Sequence, residues 1–341
     1  MISRNTRFII LGAGAVGGVI GARLRQSGWD VTFVARGRHF EAMRSDGLVL
    51  ETPDGTSRLD VTIVDDAGDT RIDDNTVVLL CVKSQDTATA LATMARHAPQ
   101  ATPIVCVQNG VANERTALRF FPNVYGVTVM CPTGFLEPGV VCAYSTPTTG
   151  ILDIGRYPTG VDVTCSLVAD AFTDSTFLSV ARPDIMRWKY RKLMLNLGNA
   201  VDALCGPGAR RGRVTALANE EGERVLAAGG IDPISVDDDR ERRADHIRVG
   251  TIGDMRRPGG SMWQSLHRQT PSTEVDYLSG EIVQLGRIHG IPTPVNSLLQ
   301  RLVWKAAASD VPAGTATTES AILEMLGKSG IDESRRPDGY R

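Results

Sequence analysis

The stretch FIILGAGAVGGVIGARLRQSG, residues 8–28, decides the fold. It opens with a short apolar run that reads as a strand. Glycines follow at 12, 14 and 17 in GxGxxG spacing, and AVGGVIGARLRQSG then has the character of a helix. A glycine loop between a strand and a helix suits a dinucleotide. The first glycine makes the tight turn, the second lets the backbone approach a pyrophosphate, and the third lets helix and strand pack closely. Free N–H groups and the dipole at the helix start favour an anion. Gly12, Ala13, Gly14, Ala15, Val16 and Gly17 are therefore the candidate phosphate cradle; the alternative is a glycine-rich packing turn.

Strand signals continue beyond the loop. VTFVAR (31–36) is a second strand, and 47–64 reads as a β-hairpin turned by Pro53, Asp54 and Gly55. TVVLLCV and PIVCVQ are unbroken apolar runs, as in parallel strands covered on both faces. NVYGVTVM is another strand, and GVVCAYS and GILDIG read as an antiparallel pair near a sheet edge. From about residue 182 the periodicity is helical and no strand is expected. Within this part Ser272 is the expected N-cap and Gly290 the stop of one helix. The expected fold class is α/β: a Rossmann dinucleotide-binding domain over 1–180, then an all-helical substrate and catalytic domain over 181–310. A loosely attached tail over 311–341 completes the chain.

Composition narrows the function. The 341 residues suit about two domains, and a net charge of −2 offers no basic stripe for nucleic acid. The start of the chain has no signal-peptide core, and its longest uncharged run is too short to span a bilayer. Six cysteines without a CxxC pair and five scattered histidines give no disulfide scaffold and no metal spacing. The expectation is a reduced, cytoplasmic, metal-free protein that acts on a small molecule, without nucleic-acid or membrane partners.

The second strand ends in Arg36, with Arg38 nearby, where an NAD site usually has an acidic residue. A guanidinium there suits a 2′-phosphate, so NADP is favoured over NAD; the alternative is a solvated loop arginine. Lys83 follows one buried strand and Asn109 the next, where ligands of α/β sheets bind. Either could instead be an exposed lysine or a turn-forming Asn-Gly. In YRKLMLNLGNAVDAL (190–204), Lys192, Asn196 and Asn199 fall within roughly 60° of helical arc, edged by apolar residues. Stranded polar groups on such a strip cost several kcal/mol, and a substrate could partner them. A surface strip, or asparagines capping a loop, is the alternative. The charge run DDDRERRADH (237–246) reads as a solvated helix face, with the rim of a cleft as its alternative.

From about residue 7 to 305 the chain resembles the ketopantoate reductases. GAGAVGG, Arg36, CVKSQDT, VQNG, RKLMLNLGNA, SMWQSL, TEVDYLSG and HGIPTPVN occur in the family's order and spacing. The resemblance implies a Rossmann domain and a helical domain with the active site in the cleft between them. It also implies reduction of ketopantoate to pantoate by NADPH. Lys192 then matches the catalytic lysine and Glu274 the active-site glutamate. Asn196 and Ser261 match substrate-binding residues, and Lys83 and Asn109 match polar residues beside the nicotinamide. The family's second asparagine is replaced by Ala200, and Asn199 lies one place early. The segment from Ser261 to Glu274 is one residue longer than usual. A free lysine has a pKa of about 10.4, so Lys192 would be an ammonium at neutral pH, able to polarise the carbonyl and donate a proton. Two alternatives stay open: a reductase of another 2-keto acid or an imine, and a non-catalytic NADP(H) sensor. A homodimer is one assembly compatible with the sequence.

Overall fold

A computed structural model describes residues 5–269 and 273–328. The first part alternates strands and helices: β1 (Arg7–Leu11), α1 (Ala15–Gln26), β2 (Asp30–Val34), α2 (Gly37–Asp46), β3 (Leu48–Thr52), β4 (Gly55–Leu59), β5 (Thr62–Val64) and β6 (Thr76–Leu80). Then come α3 (Thr87–Met94), β7 (Ile104–Cys106), α4 (Asn113–Ala117), β8 (Val124–Met130), β9 (Thr133–Gly134), β10 (Val140–Ala143), β11 (Ser145–Pro147), β12 (Gly150–Arg156), α5 (Val163–Asp174) and β13 (Phe177–Leu178). The remainder comprises α6 (Ile185–Asn196), α7 (Gly198–Cys205), α8 (Arg213–Ala228), α9 (Val236–Arg243), β14 (Ile247–Val249), β15 (Thr251–Ile252), β16 (Met255–Arg256), α10 (Ser261–His267), α11 (Ser279–His289), α12 (Pro294–Ala307) and α13 (Glu319–Lys328).

The main sheet has the order β13-β12-β8-β7-β6-β1-β2-β5. From β5 to β8 every pairing is parallel, and the order reverses between β1 and β6. That reversal makes a doubly wound Rossmann sheet. Its strands bury both faces, as their unbroken apolar runs require. Phe8, Ile10, Val77, Leu79 and Val105 pack on one side. Ile9, Leu11, Val78, Leu80, Ile104 and Cys106 pack on the other. The two-residue period of the strand sorts neighbours into two cores.

Two compact units emerge. The first comprises residues 1–193 and 232–258, and the second 194–231 and 259–341. The first unit carries the sheets. Among the described residues of the second, the regular elements are all helical. Strands do occur after residue 182, contrary to expectation: β14 pairs with β11, and β15 with β16. They belong to the segment 232–258, which returns to the first unit. Buried Asp153 on β12 holds that segment, accepting from Arg242 Nη2 at 2.6 Å and from Arg182 Nε at 2.6 Å. The charge run is thus only partly a solvated face. Arg242 turns inward, and Asp239 is buried against Arg243.

Four local expectations are corrected. The hairpin forms between β3 and β4, but β5 leaves it to become the parallel edge beside β2. GVVCAYS and GILDIG do not pair. β10 joins β3 and β9, while β12 lies antiparallel to β8, buried along nearly its whole length. The helical stretch 190–204 is divided between two helices, α6 and α7, because Leu197 N–H donates to Met194 O at 3.2 Å, an i−3 bond that tightens the turn. Ser272 lies outside the described residues, whereas Gly290 does end α11 in the left-handed conformation. The described part of the tail is docked rather than loose: Ile322 and Leu326 are buried, and Glu319 Oε1 accepts from Val214 N at 2.9 Å. Gly212 gives α8 no side-chain cap, so that carboxylate serves its free N–H.

Candidate active site

The strand registers gather the first group of candidates. Leu11 lies opposite both Val34 and Leu80, and Leu80 opposite Cys106. The segments beginning at Gly12, Ala35, Cys81 and Val107 therefore leave the sheet side by side at its carboxyl edge. They carry the glycine loop, Arg36, Lys83 and Asn109.

The loop has the geometry a pyrophosphate needs. Gly12 has φ of +106°, and a Cβ there would lie 2.7 Å from Val82 N. A Cβ at Gly17 would lie 2.2 Å from Gly12 O, so only glycine fits both places. At Gly14 a Cβ would meet nothing within 4 Å, which leaves open room beside the N-terminus of α1. Gly14 is the N-cap and supplies no side-chain cap. The first N–H groups of the helix thus remain suited to an anionic ligand. These residues fit a dinucleotide phosphate.

Arg36 precedes α2 as its N-cap in extended conformation, and Arg36 and Arg38 are exposed. Among the described residues, neither guanidinium has a hydrogen bond or ion pair. Next to them, His39 is buried. Its Nδ1 accepts from Gly139 N at 2.9 Å, so Nε2 carries the proton and donates to Ala13 O at 2.8 Å. Burial lowers the His39 pKa, against the bond to Ala13. This brace under the glycine loop was absent from the sequence reading; a lone histidine after Arg-Gly-Arg carries no signal of it.

Lys83 and Asn109, both half-buried, are held from beneath by a buried network. Gln108 Nε2 donates to Val82 O at 2.7 Å and to Thr87 Oγ1 at 2.8 Å. Asn113 Nδ2 donates to Ser84 Oγ and Asn109 O, each at 3.1 Å. The amides on either side of the candidates thus fix the two strand ends to each other.

Lys192 is half-buried on α6 and belongs to the first unit. It lies close enough to Cys131, just past β8, for its charge to act on that thiol together with Arg257 and Arg23. Burial nonetheless pushes the Cys131 thiol up to about 12. Cys131, the residue within reach of the Lys192 charge, leaves the sheet at the carboxyl end of β8.

The remaining candidates lie in the second unit. Asn196 and Asn199 are buried, Ser261 begins α10, and Glu274 opens a short 3-10 turn, Glu274–Tyr277. The structure brings Asn199 to the residue before Ser261. A Cβ on Gly260 would lie 2.9 Å from Asp202 Oδ2, 3.3 Å from Arg210 Nη1 and 3.4 Å from Asn199 Oδ1. Gly260 N donates to Asp202 Oδ2 at 2.8 Å, while Asn199 Oδ1 is buried without a donor. Ala200, where the resemblance places the family's second asparagine, is buried too. Asp202 and Arg210 were not anticipated. Burial lowers Arg210, opposed by Asp202.

Residues 8–158 match the family model described as ketopantoate reductase PanE/ApbA, and residues 184–307 match the model for its C-terminal part. The chain is 32% identical to the 2-dehydropantoate 2-reductase of Halobacterium salinarum over 87% of its own length and 97% of that relative. The chain belongs to the ketopantoate reductase family. It is an oxidoreductase of that kind, and the family's cofactor is NADPH. A crystal structure of a PanE/ApbA family ketopantoate reductase from Ralstonia eutropha JMP134 is similar, with 28% identity and a TM-score of 0.74 over 89% of this chain and 99% of that one. D-Mandelate dehydrogenase with NADH and anilino(oxo)acetate shares the fold, with 22% identity and a TM-score of 0.75 over 89% and 99% of the two chains. No helix among the described residues is long and apolar enough to cross a membrane.

Proposed function

We propose that this chain reduces 2-dehydropantoate to pantoate with NADPH, and that Lys192 donates the proton. Residues 1–180 carry the cofactor candidates in this reading, and 181–310 the catalytic and substrate candidates. The observation that carries it is the position of Lys192: a half-buried lysine in the same unit as the glycine loop, within electrostatic reach of the thiol that follows β8.

Bound NADPH would supply the hydride to the ketone carbon. Lys192 polarises the carbonyl oxygen and, as charge grows there, transfers a proton to the forming alkoxide. Asn196, Asn199 and Ser261 hold the carboxylate and hydroxyl of the substrate. Glu274 orients Lys192 or binds that hydroxyl. The exposed guanidiniums of Arg36 and Arg38 favour NADPH over NADH through the 2′-phosphate. Lys83 and Asn109 bind near the nicotinamide ribose.

A second reading keeps the chemistry and changes the acid. It rests on Ala200 and on the group formed by Asn199, Asp202 and Arg210. Initial rates of NADPH oxidation with 2-dehydropantoate and a panel of other 2-keto acids, repeated with NADH, decide between them. A preference of at least tenfold for 2-dehydropantoate with NADPH is expected. Another preferred acid would favour the second reading, and cofactor binding without turnover of any ketone would sink both.

A further inference from the structure

Three residues before Lys192 lies a second lysine with a different role. Lys189 is buried, with 2% exposure, and its Nζ lies 2.7 Å from Oε1 of fully buried Glu114. Its aligned hydrogen bonds go elsewhere: Nζ donates to Gln108 O at 2.9 Å and to Val127 O at 3.2 Å. Neither carboxylate oxygen of Glu114 has an aligned donor. Glu114 therefore neutralises the ammonium, and the carbonyls fix its position. Gly126 makes room, since a Cβ there would lie 3.1 Å from Lys189 Cδ and 3.2 Å from Glu114 Oε1.

A buried ion pair is a poor device for stability, because desolvation offsets most of the attraction. Its value here is geometric. Gln108 directly precedes Asn109, and its side chain ties the ends of β6 and β7 together. Val127 belongs to β8. Lys189 thus connects α6 to the segment that leaves β7 and to the middle of β8, three residues, about 4.5 Å of helical rise, before Lys192. We infer that Lys189, charge-balanced by Glu114, is a positioning residue that sets the register of Lys192 against Asn109. The inference rests on the proposed function for the roles of those two residues.

The test uses the full chain. Lys189→Met with Glu114→Leu removes both charges and strands neither. Glu114→Gln alone removes the counter-charge and leaves Lys189 an uncompensated buried charge. In the double variant kcat should fall at least tenfold, while KM for NADPH stays within threefold. Amide exchange at 108–110 and 191–194 should accelerate at least tenfold, with α5 unchanged. Glu114→Gln should lower Tm more than the double variant does, as an uncompensated buried charge requires. Should the double variant not fold, Lys189→Met with Glu114→Gln, which also removes both charges, takes its place with the same readouts. Unchanged exchange at those amides overturns the inference, and so does a kcat within twofold of wild type. Wild-type protein inactive on 2-dehydropantoate would instead sink the proposed function, and the exchange rates would then decide the positioning role alone.

Discussion

His39 Nε2 donates to the carbonyl of Ala13 at 2.8 Å while Nδ1 accepts from Gly139 N at 2.9 Å. One neutral ring thus braces the glycine loop against the chain preceding β10. The His39 pKa is lowered by burial. A base with a depressed folded pKa binds fewer protons folded than unfolded, so its contribution to stability is complete above the unfolded value of about 6.5. That contribution is lost as pH falls below about 6.5 toward the folded value, where protonation removes the acceptor at Nδ1. Urea titrations from pH 8 to pH 5 should show declining stability, and His39→Phe should flatten that slope. An identical slope in the variant would exclude this ring as its source.

Lys192→Ala should lower kcat by about a hundredfold or more, the range for a missing general acid. Affinity for NADPH should stay within about threefold, because the glycine loop and Arg36 are untouched. Stopped-flow rates and fluorescence titration separate the two quantities. Normal turnover would remove the lysine from the chemistry.

Arg36→Ala should raise KM for NADPH about tenfold and leave NADH kinetics nearly unchanged. A charge-assisted hydrogen bond to a phosphate is worth about 1.5–3 kcal/mol, and NADH has no 2′-phosphate to lose it. Equal losses with both cofactors would place the guanidinium elsewhere.

Glu221→Ala tests the second unit. Its buried carboxylate accepts from Val295 N at 2.7 Å and from Asn296 N and Nδ2, each at 2.9 Å, which fixes the start of α12. Burial pushes the Glu221 pKa up, opposed by those donors. Leaving buried donors unpaired costs about 1–3 kcal/mol each, so calorimetry should find Tm lower by roughly 5–10 °C. A change under 2 °C would show that water replaces the carboxylate.

The sequence by itself determined the Rossmann architecture, the glycine loop and the candidate residues at the strand ends. These depend on local signals: apolar runs of strand length, GxGxxG between strand and helix, and polar residues just past buried strands. Tertiary structure alone decided the rest. The return of 232–258 to the first unit depends on Asp153 meeting Arg242, a partner 89 residues away. The break after Asn196, the brace at His39 and the approach of Asn199 to Gly260 likewise depend on partners that no local period encodes. Lys189 lies just outside the polar strip read over 190–204, three residues before Lys192 on α6. Only the burial of Glu114 beneath β7 and β8 separates the lysine that anchors from the lysine proposed to react.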